Sequence, residues 1–142
     1  MATRALIGKI QGDKVRYIYN QNDGYIEHLG KTLLKCYSDE SKLDKLLDLG
    51  DISYLDSSLR NTKQILYTSY DKCTGERIDS AEQAKIVGVM EYVAHRIDYG
   101  TWVDYKYLWD NGAWYVSHAD ANDWRMIRKD NIKQLIKIEQ GA

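Results

Sequence analysis

Two acids and an imidazole occur within six residues near the N-terminus, and they are the first candidates for chemistry. The segment contains Asp23, Tyr25, Glu27 and His28. Carboxylates and a histidine in one loop and helix turn are the groups needed for general acid–base work, or for holding a polar ligand at a helix N-terminus. A helix with an acidic, solvated first turn explains the same residues without chemistry. The sequence leaves both interpretations open.

Arg4 is a second candidate, because it precedes the apolar run that forms the first strand. A guanidinium can bind a phosphate or a carboxylate through two parallel hydrogen bonds. A charge on an edge strand also prevents sheets from pairing edge to edge. Arg4 is therefore either a ligand-binding residue or a charge that blocks aggregation.

The third candidate is a face rich in Tyr and Trp, in a chain with 12 Tyr, 4 Trp and no Phe. Asn111-Gly112 supplies the two positive φ angles of a type I′ turn, so the segment from Thr101 to His118 is predicted to be a hairpin. Counting outward from the turn places alternate residues on one face. This aromatic stripe comprises Tyr105, Tyr107, Trp109, Trp114, Val116 and His118. It is either a stacking platform for a nucleotide or a core face covered by helices.

The other polar pairs are weaker candidates. Glu91 and His95 lie one helical turn apart, as in an ordinary surface pair. His118, Asp120 and Asp123 lack the spacing of a zinc or iron site, so no metal or other cofactor is expected. The chain has no glycine-rich phosphate loop and no sequence motif of a known nucleophile. The basic C-terminal segment from Arg125 lacks aromatic residues between its charges, which favours an exposed helix face over a nucleic-acid surface.

The elements that must position these residues are predicted from periodicity and turn signals. A hairpin over residues 5–20 turns at residues 11–13. Helices are predicted after the caps Asn22 and Asp23, after Ser41 up to Gly50, and over residues 80–96, with a short helix from Asp130. Residues 65–70 have the composition of a strand. We expect one α+β domain over residues 1–142, with a mainly antiparallel sheet from two hairpins packed against two or three helices.

Composition limits the function classes. The 142 residues carry 20 Lys and Arg against 21 Asp and Glu, so a nucleic-acid partner is not indicated. No apolar stretch is long enough to span a bilayer, and no signal-peptide core is found at the N-terminus. Cys36 and Cys73 lack metal-ligand spacing and are expected to be free thiols. We therefore expect a cytoplasmic protein that does not bind membranes.

Three segments resemble small proteins of bacteriophages and mobile elements. They are the opening Met-Ala-Thr-Arg-Ala-Leu-Ile-Gly, the Asp23-Gly24-Tyr25 segment with Glu27, and the stretch Leu-Gly-Asp-Ile-Ser that begins at Leu49. The likeness covers about the first third of the chain, and it departs from the usual pattern at Ile26, where those proteins have Pro. The resemblance implies a phage setting and no particular activity.

In that setting, a small protein without a catalytic motif is expected to be a counter-defence factor. Such a factor works by stoichiometric binding of a host defence protein or of a nucleotide immune signal, in the cytoplasm of the host cell. The alternative is a small enzyme that acts on a nucleotide or another polar metabolite through Glu27 and His28, or through His118 and Asp120. Exposed sheet edges and tyrosine-rich surfaces also predict a homo-oligomer.

Overall fold

A computed structural model of the protein describes residues 3–89, 92 and 103–118, and for residues 117 and 118 it describes the backbone alone. The described part contains a seven-stranded mixed sheet, a separate two-stranded sheet and two α-helices. The predicted α+β class, with mainly antiparallel pairing, is confirmed. The predictions for Glu91, His95, Asp120, Asp123 and the segments from Arg125 and from Asp130 lie outside the described residues.

The strands are short, with two to seven residues each. They are β1 (Ala5–Gln11), β2 (Lys14–Asn20), β3 (Ile52–Tyr54), β4 (Lys63–Gln64), β5 (Leu66–Tyr70), β6 (Arg77–Ala81), β7 (Lys85–Gly88), β8 (Tyr105–Asp110) and β9 (Ala113–His118). The helices are α1 (Lys31–Cys36) and α2 (Glu40–Asp48). A π-helical turn at Ile26–Gly30 leads into α1, and a 3₁₀ turn at Leu59–Asn61 precedes β4.

Two hairpins supply four strands of the large sheet, as predicted. β1 pairs with β2 and β8 pairs with β9, both antiparallel, and the second hairpin has the register counted outward from Asn111-Gly112. Both residues of that turn have positive φ, at 50° and 83°. The hairpins join through parallel pairing of β1 with β8, from Ala5 opposite Tyr105 to Lys9 opposite Trp109. The strand order is β4-β3-β2-β1-β8-β9, and β7 pairs with the first half of β2.

The helices cover one face of this sheet. The shared core contains Ala5, Ile7 and Ile18 from the first hairpin and Leu29, Leu33, Tyr37, Leu43, Leu46 and Leu47 from the helical segments. Ion pairs fix α2 above the strands: Lys9 Nζ lies 2.7 Å from Asp44 Oδ1, and Arg16 Nη2 lies 2.6 Å from Asp48 Oδ1. A second cluster, which includes Leu6, Val15 and Tyr92, lies on the opposite face.

The predicted helix caps are wrong. The N-cap of the π-helical turn is Tyr25 and that of α2 is Asp39, and neither makes a side-chain cap hydrogen bond. Asn22 Nδ2 instead donates to the carbonyl oxygen of Ser53. α2 begins before Ser41, so this serine lies within the helix. The predicted end at Gly50 is confirmed, since α2 ends at Asp48 and Gly50 has a φ of 78°.

The predicted helix over residues 80–96 is wrong for residues 80–88. Residues 80 and 81 end β6, and residues 85–88 form β7, which pairs with Lys14–Tyr17 of β2. Ile86 and Val87 are β-branched and fit a strand as well as a helix. Pairing with a strand far earlier in the chain overrides the helical spacing. No helix within the described ranges is long and apolar enough to cross a membrane.

Candidate functional site

The loop around Gly24 packs against the ends of β1 and β8. Gly24 N donates to the carbonyl oxygen of Thr3 at 2.9 Å, and the Tyr107 hydroxyl donates to the carbonyl oxygen of Gly24 at 2.8 Å. A Cβ atom on Gly24 would lie 2.8 Å from that of Ala5, so only glycine permits this approach. Asp23, at a φ of 56°, and Tyr25 flank this glycine and are thereby held beside the end of the sheet.

Arg4 and Asp104 join the two central strands at this end. Arg4 N donates to Asp104 Oδ2 at 3.1 Å, and Asp104 N donates to the carbonyl oxygen of Arg4 at 2.7 Å. The Nε atom of Arg4 is buried and has no hydrogen-bond partner within the described part of the chain. An unsatisfied buried donor costs free energy that a bound acceptor would recover.

Tyr105 lies next to two carboxylates at the same place. Its half-buried ring stacks on that of Tyr107, with 6.2 Å between the ring centroids. Burial raises the pKa of the Tyr105 hydroxyl, and the negative charges of Glu27 and Asp104 raise it further. Glu27 itself is exposed. Glu27, Asp104 and Tyr105 thus come together here beside Arg4, and Asp23 and Tyr25 flank the neighbouring Gly24. We call these six residues the edge cluster: Arg4, Asp23, Tyr25, Glu27, Asp104 and Tyr105.

His28 lies beside this cluster, where its ring is held by packing and by a hydrogen bond. Its ring stacks on Tyr54, with 5.1 Å between centroids, and lies 6.1 Å from the ring of Tyr25. Its Nε2 atom lies 3.2 Å from the carbonyl oxygen of Leu55. A carbonyl oxygen only accepts, so this hydrogen bond requires that Nε2 carry the proton. Nε2 is therefore occupied and is not available as a base.

The central residues of the aromatic stripe belong to the core. Tyr107, Trp109, Trp114 and Val116 are buried among the residues that face the helices. Trp114 Nε1 donates to the carbonyl oxygen of Tyr37, and the Trp109 and Trp114 rings meet edge to face at 5.3 Å. The hypothesis of a stacking platform on this face is therefore wrong for these residues. Tyr105 is half-buried, and His118 is placed only by its backbone, opposite Tyr105.

The predicted ligand residues thus divide into two groups. Arg4, Glu27 and Tyr105 come together at one end of the sheet, with Asp23 and Tyr25 on the adjoining loop. Trp109 and Trp114 instead lie in the core towards the other end of β8. Asp104 was missed as a candidate, although it lies within the predicted hairpin, next to Tyr105. Within the described ranges, no group of three or more His, Cys, Asp or Glu side chains could hold a metal ion.

Two buried polar residues outside this site were also missed. Asp51 is fully buried: its Oδ1 accepts from Tyr19 N at 3.0 Å and its Oδ2 from the Tyr67 hydroxyl at 3.1 Å. Lys106 is buried on the face of the sheet opposite the helices, and its Nζ donates to the carbonyl oxygen of Tyr92 at 2.8 Å. Both lie in segments whose pattern of polar and apolar residues gives no sign that a charged side chain points inward.

The charges of the edge cluster determine what it can bind. The carboxylates of Glu27 and Asp104 lie near Tyr105, and Arg4 supplies the one guanidinium of the cluster. An anionic ligand would meet more repulsion than attraction here. A cationic group next to tyrosine rings and carboxylates gains both ion pairing and cation–π attraction. The chemistry of the cluster therefore suits a Lys or Arg side chain better than a phosphate.

In comparisons with known proteins, no protein-family model matches the chain, and no curated protein or solved structure is significantly similar to it.

Proposed function

We propose that this protein is a non-catalytic accessory protein of a bacteriophage or mobile element, a counter-defence factor that binds a host defence protein stoichiometrically. The edge cluster is the binding site, and it receives a basic side chain of the partner. The observation that carries the proposal is the meeting of Glu27, Asp104 and Tyr105 at an accessible end of the sheet. The phage setting comes from the resemblance of the first third of the chain.

A protein partner is favoured over a nucleotide signal for two reasons. The stripe that would have stacked on a base is largely buried, so the rings of Tyr107, Trp109 and Trp114 cannot be reached from solution. The phosphates of a nucleotide would also lie close to the carboxylates of the edge cluster, with Arg4 as its one cation. Aromatic and charged side chains together are common at the centres of protein interfaces.

The enzyme alternative would require Nδ1 of His28 as the base, because Nε2 is bonded to a backbone carbonyl. The remaining parts of the proposal are a location in the host cytoplasm, the absence of a cofactor, and self-association into a homo-oligomer. Stoichiometric action distinguishes this proposal from the enzyme. A binder must be present in amounts comparable to its target, whereas an enzyme works when it is far scarcer.

The test is a complementation experiment with a phage that lacks the gene, plated on a panel of hosts that each carry one defence system. The wild-type protein should restore plating on one of them. Glu27→Lys reverses the charge at this position of the edge cluster and should abolish this restoration. Glu76→Lys makes the same charge change on an exposed residue of another loop and should leave it intact.

The stoichiometry is then measured with the purified target of that defence system. Half-maximal inhibition should require the protein at about half the target concentration when binding is tight. Restoration by Glu27→Lys would refute the role of the edge cluster. Inhibition by amounts far below the target concentration would refute stoichiometric binding and support the enzyme.

A further inference from the structure

β5 and β6 form an arm that is separate from the large sheet. Every residue of β5 is exposed, including Leu66 at 59%, Tyr70 at 66% and Tyr67 at 41%, and Ile78 of β6 is exposed at 45%. The arm is attached to the rest of the protein through the hydrogen bond from Tyr67 to the buried Asp51. A two-stranded hairpin with so little cover is marginally stable by itself.

The outer edge of β5 offers a regular row of backbone groups. Asp71 N donates to the carbonyl oxygen of Glu76 at 2.9 Å, so these two residues are a hydrogen-bonded pair of the hairpin. Because bonded and non-bonded pairs alternate, the N–H and C=O groups of Leu66, Thr68 and Tyr70 point away from β6. No other strand of the described part pairs with β5 on that side.

We propose that β5 pairs antiparallel with β5 of a second copy of this chain, about a twofold axis at Thr68. In this register Thr68 faces Thr68 of the second copy, and Leu66 faces its Tyr70. The outward groups of these three positions then form roughly six backbone hydrogen bonds between the two copies. The two arms become one four-stranded sheet, and the exposed Leu66 and Tyr70 cover each other on one face.

The charges along the two edges favour β5 over β6 as the interface. β5 contains no charged residue, so a twofold pairing brings no like charges together. The same pairing of β6 would place Asp79 directly opposite Asp79, and like charges in that position are destabilising. Natural edge strands usually carry charges that prevent pairing, and β5 lacks them. A second copy is therefore the partner that fits this edge.

The proposal specifies the homo-oligomer included in the proposed function, but it does not depend on binding at the edge cluster, because the arm contains no residue of that cluster. The first test is sedimentation velocity over a range of concentrations. The wild-type protein, with a 16.5 kDa chain, should convert from monomer to dimer as its concentration rises. A wild type that stays monomeric at all concentrations would overturn the proposal.

Thr68→Lys is the variant that separates the interface from the fold of the arm. Within one chain the introduced ammonium group would face Asp79, which already accepts a hydrogen bond from Thr68 at 2.8 Å, so the hairpin is retained. Across the axis the same ammonium group would face its counterpart in the second copy, and dimerisation should weaken at least tenfold. Ser80→Lys adds the same charge to β6, away from the axis, and should leave dimerisation unchanged.

Covalent trapping gives a second, independent measurement. Thr68→Cys in a Cys73→Ser background places two cysteines opposite each other at the axis, with their Cβ atoms about 5.5 Å apart and within reach of a short bifunctional thiol cross-linker. The cross-linker should join most of the protein into dimers, whereas Ser80→Cys in the same background should remain unlinked. A dimer that survives Thr68→Lys and is not trapped by cross-linking of the Thr68→Cys variant would place the interface elsewhere and overturn the proposal.

Discussion

The Tyr107 hydroxyl donates a hydrogen bond of 2.8 Å to the carbonyl oxygen of Gly24, across 83 residues of sequence. This bond joins the middle of β8 to the loop that carries Asp23 and Tyr25. It explains how a core residue of the aromatic stripe contributes to the edge cluster without being exposed. Within the stripe, Tyr107 positions the site and Tyr105 belongs to it.

Tyr107→Phe should therefore destabilise the protein although the ring is kept. The Gly24 carbonyl oxygen would remain buried without its partner, which costs about 1 to 3 kcal/mol. Urea unfolding at neutral pH measures this loss. Tyr70→Phe removes a hydroxyl from a side chain that is 66% exposed, and it should change the free energy of unfolding by less than about 0.5 kcal/mol. Equal effects of the two variants would contradict the role of the bond.

Gly12 and Gly50 both have a positive φ, but substitution by alanine should lower the free energy of unfolding by different amounts. Gly12 has a φ of 66° and open space around the position of a Cβ atom, so Gly12→Ala should cost about 1 to 2 kcal/mol for the left-handed conformation alone. Gly50 has a φ of 78°, and a Cβ atom there would overlap the carbonyl oxygen of Glu82. Gly50→Ala should be clearly more destabilising in urea unfolding. A smaller effect at Gly50 than at Gly12 would contradict the close packing of residues 50 and 82.

Asp51→Asn should change how stability depends on pH. Burial raises the pKa of the Asp51 carboxyl above its ordinary value of 3.8, although the hydrogen bonds from Tyr19 N and Tyr67 oppose this. The folded protein thus retains a proton that the unfolded chain releases first. As pH rises through this window, the wild type loses stability relative to Asp51→Asn, and the difference becomes constant above the folded pKa.

Unfolding experiments at a series of pH values from about 3.5 upward measure that difference. Glu76→Gln, at an exposed position, is the control for the loss of one carboxylate. A difference between wild type and Asp51→Asn that grows with pH in favour of the wild type would contradict the assignment. In that case the carboxylate of Asp51, and not its neutral form, would be the one favoured in the folded state.

The sequence predicts those parts of the fold whose causes are local. The hairpin from β8 to β9 follows from Asn111-Gly112, since two positive φ angles in sequence fix both the turn and the register. The placement of β7 cannot be read in this way, because Val87 lies opposite Val15 only after distant segments have met. Its β-branched residues satisfy a helical spacing equally well, and tertiary pairing decides between the two.

For the candidate site, the sequence predicts most of the residues but not how they are arranged. Residue type marks Arg4, Tyr25, Glu27 and Tyr105 as candidates, but their meeting depends on the parallel pairing of β1 with β8, which no local signal indicates. The register of the aromatic stripe, and which of its residues share a face, are predicted correctly. The sequence does not show which face the helices cover. Buried Asp51 and Lys106 follow from specific contacts that composition cannot reveal.

Lys106→Met should reveal the cost of a buried ammonium group. Burial lowers the pKa of Lys106 from 10.5 to about 8, so the folded protein releases this proton before the unfolded chain does. The wild type should consequently gain stability relative to Lys106→Met as pH rises above about 8, by about 2 kcal/mol at about pH 9.5.

Paired unfolding measurements between about pH 7 and about pH 9.5 test this, because the titration of tyrosines is common to both proteins and cancels. Lys63→Met removes an exposed ammonium group and serves as the control, for which the difference from wild type should not change with pH. A difference for Lys106→Met that is equally flat would mean that the ammonium group of Lys106 is fully solvated or paired with an anion in the folded protein. Either result would contradict its burial against the Tyr92 carbonyl oxygen.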